Sequence, residues 1–320
     1  MTPLEEFLAN RKPRDFSNFV ESLYRCLPAP VARMVERRLT PRHMRAVAAR
    51  ISFQPNAARG WTMRDGRKAI AESLPLDSLV GPLRRPVTIV ATGPSARDFP
   101  WDTLRDGSRF IIAVNGAPTL LHAVGLTPDL LVAVDNRFAR GAAAHFRHAP
   151  GVPLATIFRA ASIMANVSRE QITGRPFTLL ERINSWYGLP QIPHERILGL
   201  NESSGSPFVF PDVPEPRYRV GWSHKPELGI FSASTVTFVA LQLAVRLGAR
   251  DIEIVGMDLS GGGRAYDEGA NPRPTGMQGH YPYSILPSFE IMRRALAGSG
   301  VNLRNRSPVC PLPACLFGDL

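Results

Sequence analysis

The run from Arg85 to Gly116, RPVTIVATGPSARDFPWDTLRDGSRFIIAVNG, constrains the fold of this chain more than any other stretch. Val87-Thr88-Ile89-Val90 is a β-branched run set off by Pro86, the pattern of a buried strand. It breaks into Ala91-Thr92-Gly93-Pro94-Ser95, a turn in which Gly93 carries no Cβ and lets backbone amides turn toward a ligand. Phe110 to Val114 is a second buried strand, and it ends in Asn115-Gly116. Two neighbouring strands then offer small or amide residues at their C-terminal ends, where open α/β sheets bind ligands. A nucleotide site at Gly93, Pro94, Ser95, Asn115 and Gly116 is the expectation.

From Pro86 onward, strand and helix patterns alternate. Helices are expected at Pro118–Val124, Phe138–His148 and Ser162–Ile172, with strands at Asp129–Val134, Val152–Ile157 and Phe177–Leu180. A cap cluster, Ser232-Ala233-Ser234-Thr235, precedes a helix at Val236–Leu247. A strand at Asp251–Val255 then runs into Gly256-Met257-Asp258, and a helix over Leu286–Ala297 and a strand over Val301–Leu303 close the pattern. Continuous apolar strands between helices predict a doubly wound, mostly parallel Rossmann-like α/β sheet covered on both faces. Residues 86–320 read as one such domain, with long insertions at 184–228 and 259–285. The aromatics of the first insertion (Trp186, Tyr187, Phe208, Phe210, Tyr218 and Trp222) point to an ordered segment that helps form an acceptor site. Residues 1–80 read as mainly helical, on the three- and four-residue spacing of Phe19–Leu27 and Ala32–Leu39, so residues 1–85 are expected to form a basic helical extension.

The chain has 38 Lys and Arg against 27 Asp and Glu, a net charge of +11, and much of the excess lies early, from Arg33 to Arg85. Such a balance suits nucleic acid, an anionic membrane surface or phosphorylated substrates, or it reflects an Arg-rich composition. Arg33, Arg37 and Arg38 are placed either on an anionic membrane or on the solvated face of an ordinary helix. No apolar run reaches a membrane span, and the N-terminus lacks a signal-peptide core, so a cytoplasmic protein is expected. Cys26, Cys310 and Cys315 lack metal-ligand spacing and read as structural free thiols.

The turn at Gly93-Pro94-Ser95 is neither G-x-G-x-x-G nor a Gly-Lys-Ser/Thr phosphate loop, which argues against hydride transfer and against Walker-type hydrolysis. Asp135 at a strand end reads either as a catalytic carboxylate or as a helix cap, and without a second carboxylate it predicts no metal site. Ser232, Ser234 and Thr235 read as simple caps or as a carboxylate or phosphate cradle at a helix start. Asp258 faces the expected cleft, and His280, in a loop, has the chemistry of a proton acceptor.

Taken together, Ile89 to Ser95, Ala113 to Ala117, Gly229 to Val236, Leu241-Gln242-Leu243 and Ile254 to Leu259 resemble the lipopolysaccharide-core Kdo transferases. They are more distantly similar to the family 42 sialyltransferases. The resemblance covers residues 86–140 and 226–310. It implies a GT-A-like variant of the Rossmann fold and an inverting, metal-free transfer from CMP-Kdo, or another CMP-sugar, to an inner-core sugar. It implies that Gly93, Pro94, Ser95, Asn115, Gly116, Asp135 and Gly256 hold the nucleotide, and that Ser232, Ser234 and Thr235 hold the donor carboxylate and phosphate. Asp258, Tyr266 and His280 are the catalytic candidates, with Tyr281 and Tyr283 as further lid tyrosines. No cofactor is implied beyond the CMP-sugar substrate. The partners implied are lipopolysaccharide core at an anionic membrane surface, reached peripherally from the cytoplasm, and no nucleic acid. Here the turn has Ala91-Thr92 where the sialyltransferases have Gly-Asn, and Ala233 stands in place of a glycine. A pterin pyrophosphokinase-like protein shares Gly-Pro-Ser and the Pro128-Asp129 to Asp135 arrangement, and is the alternative.

Overall fold

A computed structural model describes residues 31, 51–58, 60–183, 185–187, 197, 206–211, 218–259, 262–268 and 276–320. Cys26 and the basic segment around Arg33, Arg37 and Arg38 lie outside the described residues, as do parts of both insertions. The expectation of a mainly helical start fails from Ile51 onward. β1 (Ile51–Pro55), β2 (Trp61–Asp65) and β3 (Lys68–Glu72) form an antiparallel meander. The physical reason is the turn: Gly66-Arg67 is a two-residue hairpin loop, and Gly66 takes φ +60 to join Asp65 to its partner Lys68. Phe53 and Trp61 then dock edge-on against Phe158, at centroid distances of 5.0 and 4.8 Å.

After the short helix α1 (Leu76–Leu79), the main sheet begins with β4 (Val87–Val90), β5 (Phe110–Val114), β6 (Leu130–Ala133), β7 (Leu154–Ile157) and β8 (Phe177–Leu180). Every residue of these five strands is buried, which is the pattern of strands covered on both faces. Between them lie α2 (Ala117–Ala123), α3 (Asn136–Ala139), α4 (Ala143–Phe146), α5 (Phe158–Val167) and α6 (Glu170–Thr173). The single helix expected over Phe138–His148 is two pieces, separated at Gly141.

In the first insertion, β9 (Phe208–Val209) pairs antiparallel with β10 (Trp222–Ser223). Its described aromatics pack inward: Phe208 and Phe210 against Phe231, and Trp222 against Phe238. They build core rather than an open acceptor surface.

The long helix α7 (Val236–Arg246) returns across β4, β5 and β6 and delivers the chain to β11 (Asp251–Val255). A π-helical turn at Tyr281–Ile285 leads into α8 (Leu286–Ala295), followed by β12 (Asn302–Asn305) and a short antiparallel edge strand β13 (Gly318–Asp319). The order across the eight-stranded sheet is β13-β12-β11-β4-β5-β6-β7-β8, parallel except for β13. Strand order therefore reverses between β4 and β11, and the crevice beyond their C-terminal ends is where such sheets place ligands. Among the described residues no helix is long and apolar enough to cross a membrane, and Cys310 and Cys315 are free thiols.

Candidate active site

The loops after β4 and β11 meet at this reversal. The N–H of Gly93 donates to the carbonyl of Gly256 at 2.8 Å, and the Ala91 N–H donates to Val255 O at 2.8 Å. A Cβ on Gly93 would lie 2.5 Å from Gly256 O and 2.6 Å from Asp258 Cγ. A Cβ on Gly256, which takes φ +72, would lie 2.8 Å from Ala91 O. Two glycines are thus needed for two backbones to touch.

Pro94 opens a 3₁₀ turn (Pro94–Asp98), and Ser95 is held from both ends. Its N–H donates to Asp258 Oδ2 at 2.8 Å, its hydroxyl donates to Asp258 Oδ1, and the same hydroxyl lies 3.2 Å from Ser307 Oγ. Asp258 is 2% exposed, so its carboxylate braces the turn from beneath. The three residues expected to turn amides toward a ligand consequently have none to give. Gly93 and Ser95 use theirs internally, and Pro94 has no N–H.

The free groups lie beside that turn. Among the described residues, the N–H groups of Thr92 and Gly116 have no acceptor. The amide oxygens of Asn115 and Asn136 are buried and unpartnered. Asn115 follows β5 in a left-handed conformation, φ 49, and Asn136 follows the adjacent β6. Buried unpaired polar atoms are uncommon, and two at neighbouring strand ends beside two free N–H groups form a cradle with unused donors and acceptors. Asp135, the neighbour of Asn136, caps α3 instead: it accepts from Arg137 N at 2.7 Å. Asn136 carries the same signal as Asn115, an amide just past a buried strand, with the charged Asp135 beside it.

Helix α7 points its N-terminus at the same edge of the sheet, because it runs antiparallel to the strands it crosses. Its N-cap, Thr235, makes no side-chain cap bond. Ala233 and Ser234 both take positive φ, 43 and 54, a strained pair of the kind that concentrates at binding sites. The Ser232 carbonyl accepts from the Thr235 N–H at 2.8 Å and its hydroxyl has no partner among the described residues, while Ser234 Oγ lies 3.0 Å from Ser284 Oγ. The start of α7 therefore combines an uncapped helix terminus with hydroxyls, an arrangement suited to an anion.

A segment of the second insertion closes over this ground. The Ala265 N–H donates to Thr92 O at 2.9 Å, and Arg97 donates to the carbonyls of Ala265 and Arg264 at 3.1 and 2.7 Å. Tyr266 is thereby brought over Gly116, whose imagined Cβ would sit 2.4 Å from the tyrosine hydroxyl, and beside His145 at a ring distance of 5.0 Å. His280 is exposed on a 3₁₀ turn (Gln278–His280), one helical turn from Ser284. Tyr281 donates to Pro311 O at 2.7 Å, and Tyr283 is 79% exposed. The structure thus gathers Gly93, Pro94, Ser95, Gly256 and Asp258 into one brace. It sets Tyr266 over Gly116, ties Ser234 to the π-helical turn, and leaves His280 on the rim.

At the far end of the same edge, Glu181 follows β8. Burial pushes its carboxyl up to about 7, against the opposing pull of Arg182. Among the described residues no cluster of three or more His, Cys, Asp or Glu is placed to hold a metal ion.

Residues 67–263 match the family model described as "6-hydroxymethylpterin diphosphokinase MptE-like". A probable 3-deoxy-manno-octulosonic acid transferase of Escherichia coli K12 is 27% identical over 213 residues, 64% of this chain and 72% of that protein. The MAf glycosyltransferase of Magnetospirillum magneticum AMB-1 aligns with a TM-score of 0.43 and 18% identity, over 73% of this chain but only 33% of its own length. The sialyltransferase CstII of Campylobacter jejuni, solved with the substrate analogue CMP-3FNeuAc, aligns with a TM-score of 0.38 and 11% identity, over 74% of this chain and 89% of its own.

Proposed function

This chain belongs to the 6-hydroxymethylpterin diphosphokinase MptE-like family, and on that premise we propose that it is a glycosyltransferase using a CMP-activated 3-deoxy-ulosonic acid of the Kdo type. The acceptor is a hydroxyl of a lipopolysaccharide inner-core sugar. The name of the Escherichia coli relative supports the donor class. The observation that carries the reading is the cradle at the ends of β4, β5 and β6. There the free N–H groups of Thr92 and Gly116 suit phosphate or carboxylate oxygens, and the unpartnered oxygens of Asn115 and Asn136 suit the hydroxyls and amine of a nucleoside.

In this reading the chain's contribution is mainly electrostatic. Breaking the bond from sugar to CMP builds positive charge on the sugar ring and negative charge on the departing phosphate. The amides of the cradle, the start of α7 and the Tyr266 hydroxyl stabilise that phosphate, and the glycine pair fixes their spacing. His280 is the group offered to take the proton from the acceptor hydroxyl as its oxygen bonds to the sugar carbon on the face opposite the departing CMP, which inverts that carbon. No metal is required by this scheme, and the protein works peripherally at the cytoplasmic face of an anionic membrane.

Calorimetric titration with CMP, against AMP and NADH and without added metal, tests the reading. Selective CMP binding is expected, and Asn115→Ala or Asn136→Ala each lower CMP affinity by about tenfold or more, the loss of a buried hydrogen-bonded partner. Unchanged affinity in both variants removes the strand-end cradle from the scheme. A diphosphokinase acting on a pterin is the second reading, favoured by the family description itself. It predicts ATP binding that depends on magnesium and turnover abolished by a chelator.

A further inference from the structure

Arginine is frequent in this chain, so where its charge is left unbalanced matters more than how much there is. Toward the N-terminal ends of the strands the arginines are neutralised. Arg85 lies 3.4 Å from Asp129, Arg109 lies 3.4 Å from Asp251 and 3.0 Å from Glu253, and Arg304 lies 2.6 Å from Asp251. At the C-terminal edge, beyond the nucleotide cradle, the balance is reversed. Arg140 ends α3 one helical turn from Asn136, Arg159 is the second residue of α5 just past β7, and Arg182 is the second residue past β8. Arg140 and Arg159 are exposed and make no ion pair among the described residues. Arg182 is 40% exposed, and its carboxylate neighbour is Glu181 at 3.9 Å.

The acids that share this edge do not offset them. Asp135 is spent as the cap of α3, and Asp258 is enclosed by Ser95. Glu181 is buried, and desolvation drives it toward its neutral form. The result is a row of guanidinium groups along the ends of three adjacent strands, two without an ion pair among the described residues and the third beside only the buried Glu181. At ordinary strand spacing the row extends about 10 Å from the cradle's last residue, Asn136.

We propose that Arg140, Arg159 and Arg182 form the acceptor subsite, and that the acceptor carries an anionic group, a carboxylate or a phosphate ester, close to the hydroxyl that is glycosylated. This rests on the glycosyltransferase reading of the same cleft. A planar guanidinium pairs with either anion through two parallel hydrogen bonds, and its charge persists at any working pH. The groups that hold the donor are backbone amides and neutral side chains, whereas those along β6 to β8 are cations. Donor and acceptor are thus told apart by different chemistry on one continuous edge.

The test is a binding measurement on the full-length protein with three oligosaccharide probes of one backbone. One bears a phosphate monoester, one a 3-deoxy-ulosonic acid carboxylate, and one is neutral. Wild-type protein is expected to bind at least one charged probe about tenfold or more tightly than the neutral probe, with the preference falling as salt rises. The probe that gains identifies the anion. In Arg140→Ala/Arg159→Ala the preference collapses toward that of the neutral probe, while Arg140→Lys/Arg159→Lys retains part of it. Equal binding of all three probes by the wild type, or none, overturns the proposal, as does an alanine variant of native thermal stability that keeps the full preference. CMP titration of the same wild-type sample reports separately on the donor reading: absent CMP binding sinks that reading, whatever the probes do.

Discussion

At the residue scale the site depends on close approaches that allow no extra atom. Gly93→Ala places a methyl group within 2.6 Å of both Gly256 O and Asp258 Cγ. Overpacking of that kind costs about 1–3 kcal/mol, so a lowered urea midpoint is expected together with weaker CMP binding. Asp258→Asn keeps the shape but removes the charge that accepts from both the N–H and the hydroxyl of Ser95. Its expected cost is about 1–3 kcal/mol, measured the same way. If Asp258 were instead a proton carrier, the variant would keep its stability and lose turnover alone. Gly93, Ser95 and Asp258 were each legible in the sequence as residues of one edge of the sheet. Their division of labour was not, because the partners that occupy the Gly93 and Ser95 amides lie 163 residues further along the chain. Asn136 is harder to read, because the charged Asp135 beside it carries the stronger signal at the same strand end.

At the element scale, the strands were the legible part. β8 and β11 occupy the ranges their apolar runs predict, since a strand buried on both faces declares itself by composition alone. Helices were less well bounded, because a break such as Gly141 costs little on the chain's exterior and leaves a weak signal. The meander of β1 to β3 is poorly legible: its strands are short and only partly buried, and the helical spacing of 19–27 and 32–39 does not extend into residues 51–72. The meander docks around one aromatic ring, Phe158, which touches Phe53, Trp61, Trp186 and Tyr187. Phe158→Ala is expected to destabilise the protein by about 3–5 kcal/mol. Hydrogen exchange should speed up in residues 51–72 before the central strands are affected. Uniform acceleration across the sheet would show that the meander is not a separable layer.

At the scale of the whole molecule, the buried carboxyl at the end of β8 ties stability to pH. Glu181 has a folded pKa of about 7, above its ordinary 4.5, so the folded state holds the proton more tightly than the unfolded chain does. Stability from this group is complete below pH 4.5 and declines as the pH rises to about 7, by roughly 3 kcal/mol. Denaturation at pH 5 and pH 8 should show that decline in the wild type and lose most of it in Glu181→Gln. An undiminished slope in the variant would assign the decline to other groups. The strand order has a temporal consequence as well. The brace that joins Gly93 to Gly256 and Ser95 to Asp258 links the first strand of the sheet to one laid down only after α7. A nascent chain that has emitted β4 through β8 possesses most of the sheet and none of the brace. The brace beneath the cradle is therefore completed only in the last third of synthesis, after every strand-end residue of the cradle itself has been made.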